Sequence, residues 1–241
     1  MSEEPVETAA AFARLALELH SEEGVDETID AVAQFALKAV NCTQAGIMLA
    51  TKGSGIEPGA ATDVTVEKAD LLQLELGEGP AHTIVSDREP VIVIPDTLQD
   101  DRWPNWSPAV TELGLRSVLA VRLQVRDQVV GVLELFNSRP YAFEQDDVAV
   151  AHILARHASV AVGTARQEAT LWQAIDARKL IGQAQGILME RFNLDSDQAF
   201  AVLRRYSQDN NVKLREVARL LVDTGSLTAG ASVESREPVQ Q

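Results

Sequence analysis

The sequence holds one cysteine, Cys42, in 241 residues. No internal disulfide can form, and a structural zinc site has no thiolate set to draw on. At the apolar end of a helical pattern, Cys42 reads as a small buried hydrophobe. A reduced cytoplasm is the expected compartment. Histidine is also scarce: His20, His82, His152 and His157. His152 and His157 are five apart, off the i, i+4 spacing that clamps a metal on a helix. Neither a metal site nor a cofactor is expected. No run approaches the ~20 apolar residues of a membrane helix, so no membrane partner is expected. The run Ala9 to Leu19 contains Arg14 and Glu18 and follows Glu3, Glu4 and Glu7. A secretory leader carries positive charge there, so none is expected.

Catalytic motifs are absent too. There is no G-x-S-x-G elbow, no G-x-x-x-x-G-K-[ST] loop and no G-x-G-x-x-G. The loop Gly77-Glu78-Gly79-Pro80 is short and carries an acid, which makes it a poor phosphate cradle and a good turn. Asp100-Asp101 and Asp146-Asp147 read as loop and helix-start residues, the latter suited to the helix dipole. No enzyme is expected.

Positive charge is in short supply, and unevenly so. Twenty-one Lys and Arg face 36 Asp and Glu, net −15. Residues 1–170 hold 12 basic and 27 acidic residues, whereas residues 171–225 hold 8 and 7. The first stretch is strongly anionic, the second near neutral. Two modules with different partners are implied, and a sequence-blind grip on nucleic acid by the whole chain is excluded.

The order of patterns gives an α+β protein with two modules. Phe12, Leu15, Ala16 and Leu19 mark an N-terminal helix. Asp26 is placed to cap a second, with Ile29, Val32, Ala33, Ala36, Leu37 and Val40 on one side. Ala45 to Ala50 then reads as a strand, with Ala60 to Val66 as its hairpin partner. Lys68 to Leu76 and Ala81 to Ser86 read as helices, and Val91 to Ile94 as a strand. Asp96 to Pro108 reads as an irregular loop. Ser117 to Val125 and Val129 to Phe136 read as a hairpin turned at Arg126-Asp127-Gln128.

From Gln145 to Arg191 there is no proline, and Leu154, Ala158, Ala161, Ala165, Ala169, Trp172 and Ile175 recur every three or four positions. A continuous helix there would be ~70 Å long, longer than either module. It needs a further apolar surface, most simply its own copy in a dimer, with a kink or break allowed near Gly163, Gly182 or Gly186. Asp195 and Gln198 make a capping box ahead of a short helix. Leu214, Val217, Ala218 and Leu221 mark another, ending near Gly225. Residues 226–241 read as a disordered tail.

Two residue sets are candidates for recognition. Trp103 and Trp106, in a polar loop before a strand, either wall a pocket or close the domain's own core. The basic residues of the C-terminal stretch, Arg178, Lys179, Arg191, Arg204, Arg205, Lys213, Arg215 and Arg219, join Tyr206 and Asn211. They form either a face for single-stranded RNA loops or a plain solvated surface. Acidic Asp195, Asp197 and Asp209 flank the short helices and would repel duplex DNA.

Residues ~174–224 resemble an ANTAR domain. The resemblance rests on Ala184-Gln185-Gly186-Ile187-Leu188-Met189, on Ala199-Phe200-Ala201-Val202-Leu203-Arg204-Arg205, and on Lys213-Leu214-Arg215-Glu216-Val217-Ala218. It implies an all-α three-helix bundle that pairs in a dimer and binds RNA. The family often carries Lys where Gln185 stands.

Residues ~25–165 resemble a GAF domain. The carrying segments are Ala61-Thr62-Asp63, Gly77-Glu78-Gly79-Pro80, Asp101-Arg102-Trp103-Pro104, Leu113-Gly114-Leu115-Arg116-Ser117-Val118-Leu119 and Val130-Gly131-Val132-Leu133-Glu134-Leu135. This resemblance implies an antiparallel sheet flanked by helices that senses a small molecule or partner. The cysteine often found after the Gly-Pro loop is Ala81 here, so thiol chemistry is absent, and the N-K-F-D-E set of cyclic-nucleotide GAF domains is missing.

Together the two are similar to bacterial antitermination regulators, in which an ANTAR dimer binds a two-hairpin element of nascent RNA. The expected organisation is an N-terminal helix over 1–24, a GAF domain over 25–165, an ANTAR domain over 166–225 and a tail over 226–241. The expected RNA face is Arg178, Lys179, Gln185, Arg204, Arg205, Tyr206, Asn211 and Lys213. The expected ligand pocket includes Trp103, Trp106, Gly79 and Pro80. The alternative function is a homodimeric interaction module without RNA.

Overall fold

The computed structural model describes residues 24–227. The expected N-terminal helix lies outside the described residues, as does nearly all of the expected tail. The chain divides into two compact units between Ala169 and Thr170.

The first unit is built on a five-stranded antiparallel sheet. Its strands are β1 (Gln44–Ala50), β2 (Ile56–Ala61), β3 (Val91–Ile94), β4 (Ser117–Val125) and β5 (Gln128–Asn137), in the order β2-β1-β5-β4-β3. Gln44 faces Phe136 in the β1–β5 ladder, and Ser117 faces Asn137 in the β4–β5 hairpin. Helices cover both faces. Helix α1 (Val25–Ala39) and the long helix α5 (Gln145–Phe192) lie on one side, where Ile29, Val32 and Ala36 pack with Ile47, Leu119, Leu133, Leu154 and Ala158. The other side carries α2 (Val64–Leu76), α3 (Pro80–Asp87) and α4 (Trp106–Glu112) over Met48, Val118, Ala120, Val132 and Phe136. A strand buried on both faces is apolar at nearly every position, which is why β5 reads as a continuous run interrupted only at Gly131 and Glu134.

Several boundaries differ from expectation for identifiable reasons. Helix α1 is capped by Gly24, and Asp26 stands in its first turn, where it meets the helix dipole. The partner of β1 is Ile56–Ala61, not Ala60 to Val66. Pro58 and Gly59 look like a turn, but β2 is an edge strand, where proline is tolerated. Asp63 then caps α2 by accepting from the Thr65 N–H at 2.7 Å, so that helix starts four residues earlier than the apolar pattern suggests. Helix α4 begins inside the expected loop, at Trp106, and runs past its end to Glu112. Pro108 lies in its first turn, where a missing N–H costs nothing.

Helix α5 is assigned without interruption from Gln145 to Phe192. Within the first unit it approaches the sheet closely: a Cβ on Gly163 would meet Val125 at 2.7 Å. Gly163 therefore serves packing and does not break the helix. The Arg166 guanidinium donates to the carbonyls of Ala50 (2.8 Å) and Val130 (3.0 Å) at the end of the sheet. The helix is apolar over part of its length. An 18-residue stretch of mean hydropathy 1.3 is long and apolar enough to cross a bilayer by length and composition. Much of the helix's apolar side in this unit, Ala151, Leu154, Ala155, Ala158 and Val162, is buried in the sheet core.

The second unit joins the rest of α5 to α6 (Ser196–Asp209) and α7 (Leu214–Thr224). Asp195 and Gln198 form the capping box, with side-chain-to-backbone bonds of 2.8 and 3.1 Å. Ala184 and Leu188 pack on Ala199, Leu203, Val217, Ala218 and Leu221. Gly225 closes α7 in the left-handed region.

Candidate ligand and nucleic-acid sites

In the first unit, the expected pocket residues are tied into the helical side of the sheet. Trp106 is fully buried, and its indole N–H donates to the Ala69 carbonyl at 3.2 Å. Trp103 is 7% exposed and donates to the Thr83 hydroxyl at 3.2 Å. The two rings meet edge to face, centroids 5.8 Å apart, a favourable aromatic geometry. The Arg102 guanidinium lies over the Trp103 ring, 4.7 Å from its centroid. Both rings belong to the buried cluster on this side of the sheet.

Gly79 and Pro80 stand at the start of α3. Gly79 has φ +126, and a Cβ there would meet the Gln73 side chain at 2.5–2.8 Å. Glu78 beside it accepts from the Asn105 amide and backbone N–H and from the Trp106 N–H, at 2.7–3.0 Å. Its carboxylate caps the first turn of α4. The Asn105 bonds first, then the Trp106 N–H, hold its pKa below the usual range.

The sequence reading missed what lies beneath this loop. Glu134, from the centre of β5, is completely buried. The Gln73 amide donates to both of its oxygens, at 3.0 and 2.9 Å. Gln73 Oε1 in turn accepts from the Ala81 N–H at 2.8 Å. Asp70, also buried, lies close enough to Glu134 for the two charges to couple, while its Oδ1 has no hydrogen-bond partner. Burial without a cation pushes Glu134 up to about 7 and Asp70 well above the carboxylate range. Two acids that close cannot both ionise in an apolar site, so the pair retains a proton near neutrality. A lone acid inside an apolar strand was the available signal. Its partners lie 61 and 64 residues away on α2, and nothing in the sequence shows that pairing.

A second charged pair of this unit is structural. Arg116 pairs with Asp96 through two bonds of 3.0 and 2.9 Å, and Asp96 also accepts from the Leu98 N–H. The Arg116 bond holds the Asp96 pKa below its ordinary value. Cys42 is half-buried and donates to the Ala36 carbonyl; burial pushes its thiol up to about 11, so it is unreactive at neutral pH.

In the second unit, two side chains of α5 orient the bundle. Gln185 on α5 donates to the carbonyl and hydroxyl of Ser196, at 3.1 and 3.3 Å, fixing the start of α6. Arg191 donates to the Gly225 carbonyl, fixing the end of α7. Arg204, Asn211 and Lys213 flank the α6–α7 turn and are exposed. Arg205, also exposed, has Asp209 at 3.6 Å one turn on. Among the described residues, no carboxylate pairs with Arg178, Lys179, Arg204 or Lys213. Tyr206 packs partly on the bundle core, and Asn211, at φ +52, ends α6. Gln185 spends its amide donors inside the fold.

Family models match both units: a GAF domain over residues 22–163 and an ANTAR domain over residues 169–222. The chain is a GAF-domain protein with a C-terminal ANTAR domain. No curated protein matches it. Among solved structures, it is similar to the GAF domain of the Acinetobacter phosphoenolpyruvate-protein phosphotransferase. That match has 18% identity and a TM-score of 0.56, and covers 68% of this chain and 98% of that one. The GAF domain of the corresponding Coxiella burnetii protein is similar at 16% identity, covering 68% and 96%, TM-score 0.56. The free methionine-R-sulfoxide reductase from Neisseria meningitidis, solved with its substrate, is similar at 15%, covering 70% and 95%, TM-score 0.51. At such identities the likeness is one of fold. It agrees with the five-stranded antiparallel sheet of the GAF unit.

Proposed function

We propose that this protein is an RNA-binding transcription antitermination regulator. Its ANTAR unit pairs with a second copy and binds a two-hairpin element in nascent RNA; its GAF unit senses a small ligand or partner. The observation that carries the reading is the ANTAR match over a bundle whose α6–α7 turn presents Arg204 and Lys213 exposed and without carboxylate partners. Arg178 and Lys179 are exposed on α5. Unpaired guanidinium and ammonium groups supply phosphate contacts, while Tyr206 and Asn211 supply a ring and an amide for splayed bases. Gln185 contributes less than the usual lysine, because its donors are held by Ser196. The pairing is supported by Leu171, Trp172 and Ile175, which stand exposed on α5, Trp172 by 64%. Large apolar residues clustered on a helix surface mark an interaction face.

Control by the GAF unit requires a ligand that binds two states differently; a ~100-fold preference would supply ~2.7 kcal/mol of coupling. Such a regulator works in the bacterial cytoplasm, on transcripts as they emerge. Electrophoretic mobility shift with a two-hairpin RNA tests the proposal. The full chain should bind it, and Arg204→Glu with Arg205→Glu should abolish specific binding. Retention of binding in that variant would reject this face. The second reading, a homodimeric interaction module without RNA, draws on the same exposed apolar residues and the overall net charge of −15. It predicts a dimer that ignores RNA at low salt.

A further inference from the structure

Strand β3 is four residues long and β4 is nine, so the two ladders do not end together. Val91 faces Val121, and the Arg122 N–H reaches the Pro90 carbonyl at 3.1 Å. Beyond that point the outer edge of β4 has no strand beside it. The Gln124 N–H, which would be left without a partner there, donates instead to the Ser159 hydroxyl of α5 at 2.9 Å. That hydroxyl donates to the Ala155 carbonyl at 2.5 Å. The open edge is thus sealed from below by a serine, and a cavity of about 180 Å³ remains above it. Pro90, Arg122, Gln124, His152, Ala155, Arg156 and Ser159 line it.

The polar groups of this cavity are not equally committed. The Ser159 hydroxyl is used in both directions, and the Gln124 amide donates to the Arg126 carbonyl. Arg122 gives one N–H to the Arg88 carbonyl at the end of α3. Its other donors, the whole Arg156 guanidinium and the His152 ring have no hydrogen-bond or ion-pair partner among the described residues. Glu89, next to Pro90 in sequence, pairs with neither arginine. This is unusual in a stretch that holds 27 acids against 12 bases. Carboxylates abound, yet two arginines and a histidine line one cavity with no carboxylate among its lining residues.

We propose that this cavity binds a small doubly charged oxyanion, either inorganic phosphate or a phosphomonoester. Planar guanidinium forks match tetrahedral phosphate oxygens two at a time, and two of them from different elements favour a dianion over a single carboxylate. The volume lies below the ~300 Å³ at which drug-sized ligand sites begin, which excludes a whole nucleotide. Its floor is a strand and a long helix.

The test uses the full chain at low ionic strength. Sodium phosphate, glycerol phosphate and sodium acetate are titrated separately, and the Arg side-chain Nε and Gln124 backbone signals are followed by NMR. Saturable shifts at Arg122, Arg156 and Gln124 are expected with phosphate, at least tenfold stronger than with acetate. Arg156→Gln should weaken phosphate binding at least tenfold. Arg156 makes no bond in the fold, so that variant should melt like the parent. Arg139→Gln, at the Ser117 end of β4, should bind like the parent. Tighter binding of glycerol phosphate identifies a phosphomonoester ligand, and equal binding identifies free phosphate; both support the site. No saturable response, acetate equal to phosphate, or an Arg156→Gln variant that binds normally would overturn it. RNA binding by the ANTAR unit is a separate readout, unaffected by either result.

Discussion

The side-chain amide of Gln73 holds both oxygens of Glu134, at 3.0 and 2.9 Å, in a layer of the core without a cation. The geometry gives the GAF unit a pH dependence. Glu134 is pushed up to about 7 and Asp70 well above its usual range, so between the unfolded carboxylate pKa and these values the native state holds more protons than the unfolded chain. Stability from this pair is complete below the unfolded pKa and is lost as pH rises through about 7. The slope is at most ~1.4 kcal/mol per pH unit for each proton. Urea denaturation at pH 5.5 and pH 8 should show a lower midpoint at pH 8. In Glu134→Gln, which keeps an acceptor for Gln73 and removes one ionisation, that difference should shrink. A variant as pH-sensitive as the parent would place the effect elsewhere.

The same network makes Gly79 hard to replace. Gln73 is pinned between Glu134 and the Ala81 N–H, so it cannot retreat from a new Cβ 2.5–2.8 Å away. The backbone at φ +126 adds strain of its own. Gly79→Ala should cost roughly 2–4 kcal/mol, combining a strained backbone with overpacking, and should lower the melting temperature by several degrees. Gly182→Ala is the contrast. It lies within α5 with nothing inside 4 Å of a new Cβ, so the change should be neutral or stabilise by ~0.4–1 kcal/mol.

What could be read from the residues alone follows from range. Local signals were sufficient for the Asp195–Gln198 capping box, the turn at Arg126-Asp127 and the long proline-free helix, because each depends on neighbours within four residues. The β2 edge and helix α4 were hidden by Pro58 and Pro108, which suggest loops unless the edge position and the first-turn position are known. The Asp70–Gln73–Glu134 cluster and the Arg122–Arg156 cavity depend on contacts across 34 to 64 positions, which only the sheet register creates. Trp103 and Trp106 were found as a pair, but their bonds to Thr83 and Ala69 are set by elements 20 and 37 positions away.

Leu171 and Ile175 are one turn apart on α5 and exposed by 60% and 46%. If they face a second copy, charging them should split it. Leu171→Glu with Ile175→Glu should shift the protein from dimer to monomer in sedimentation velocity at micromolar concentration. Because neither side chain belongs to the described core clusters, helix content should not change. Two-hairpin RNA binding should weaken as the dimer is lost, since the proposed function places one hairpin-binding unit on each copy. A double variant that sediments with the parent would remove this patch from the interface.

Arg204 and Arg205 are neighbours on α6 but differ in one respect: Arg205 has the Asp209 carboxylate at 3.6 Å, and Arg204 has none. A phosphate must compete with Asp209 for Arg205, whereas Arg204 is available outright. Each guanidinium that neutralises a phosphate adds close to one unit to the slope of log affinity against log salt. Arg204→Gln should therefore reduce that slope by about one and weaken RNA binding at every salt concentration. Arg205→Gln should reduce it by less, and Asp209→Asn should strengthen binding by releasing Arg205. Gln185→Lys should add to the slope, since it restores a charge where a neutral amide is now held by Ser196. Filter binding of the two-hairpin RNA over 50–300 mM salt measures all four. Equal slopes for the parent and Arg204→Gln would mean that this arginine does not touch the RNA.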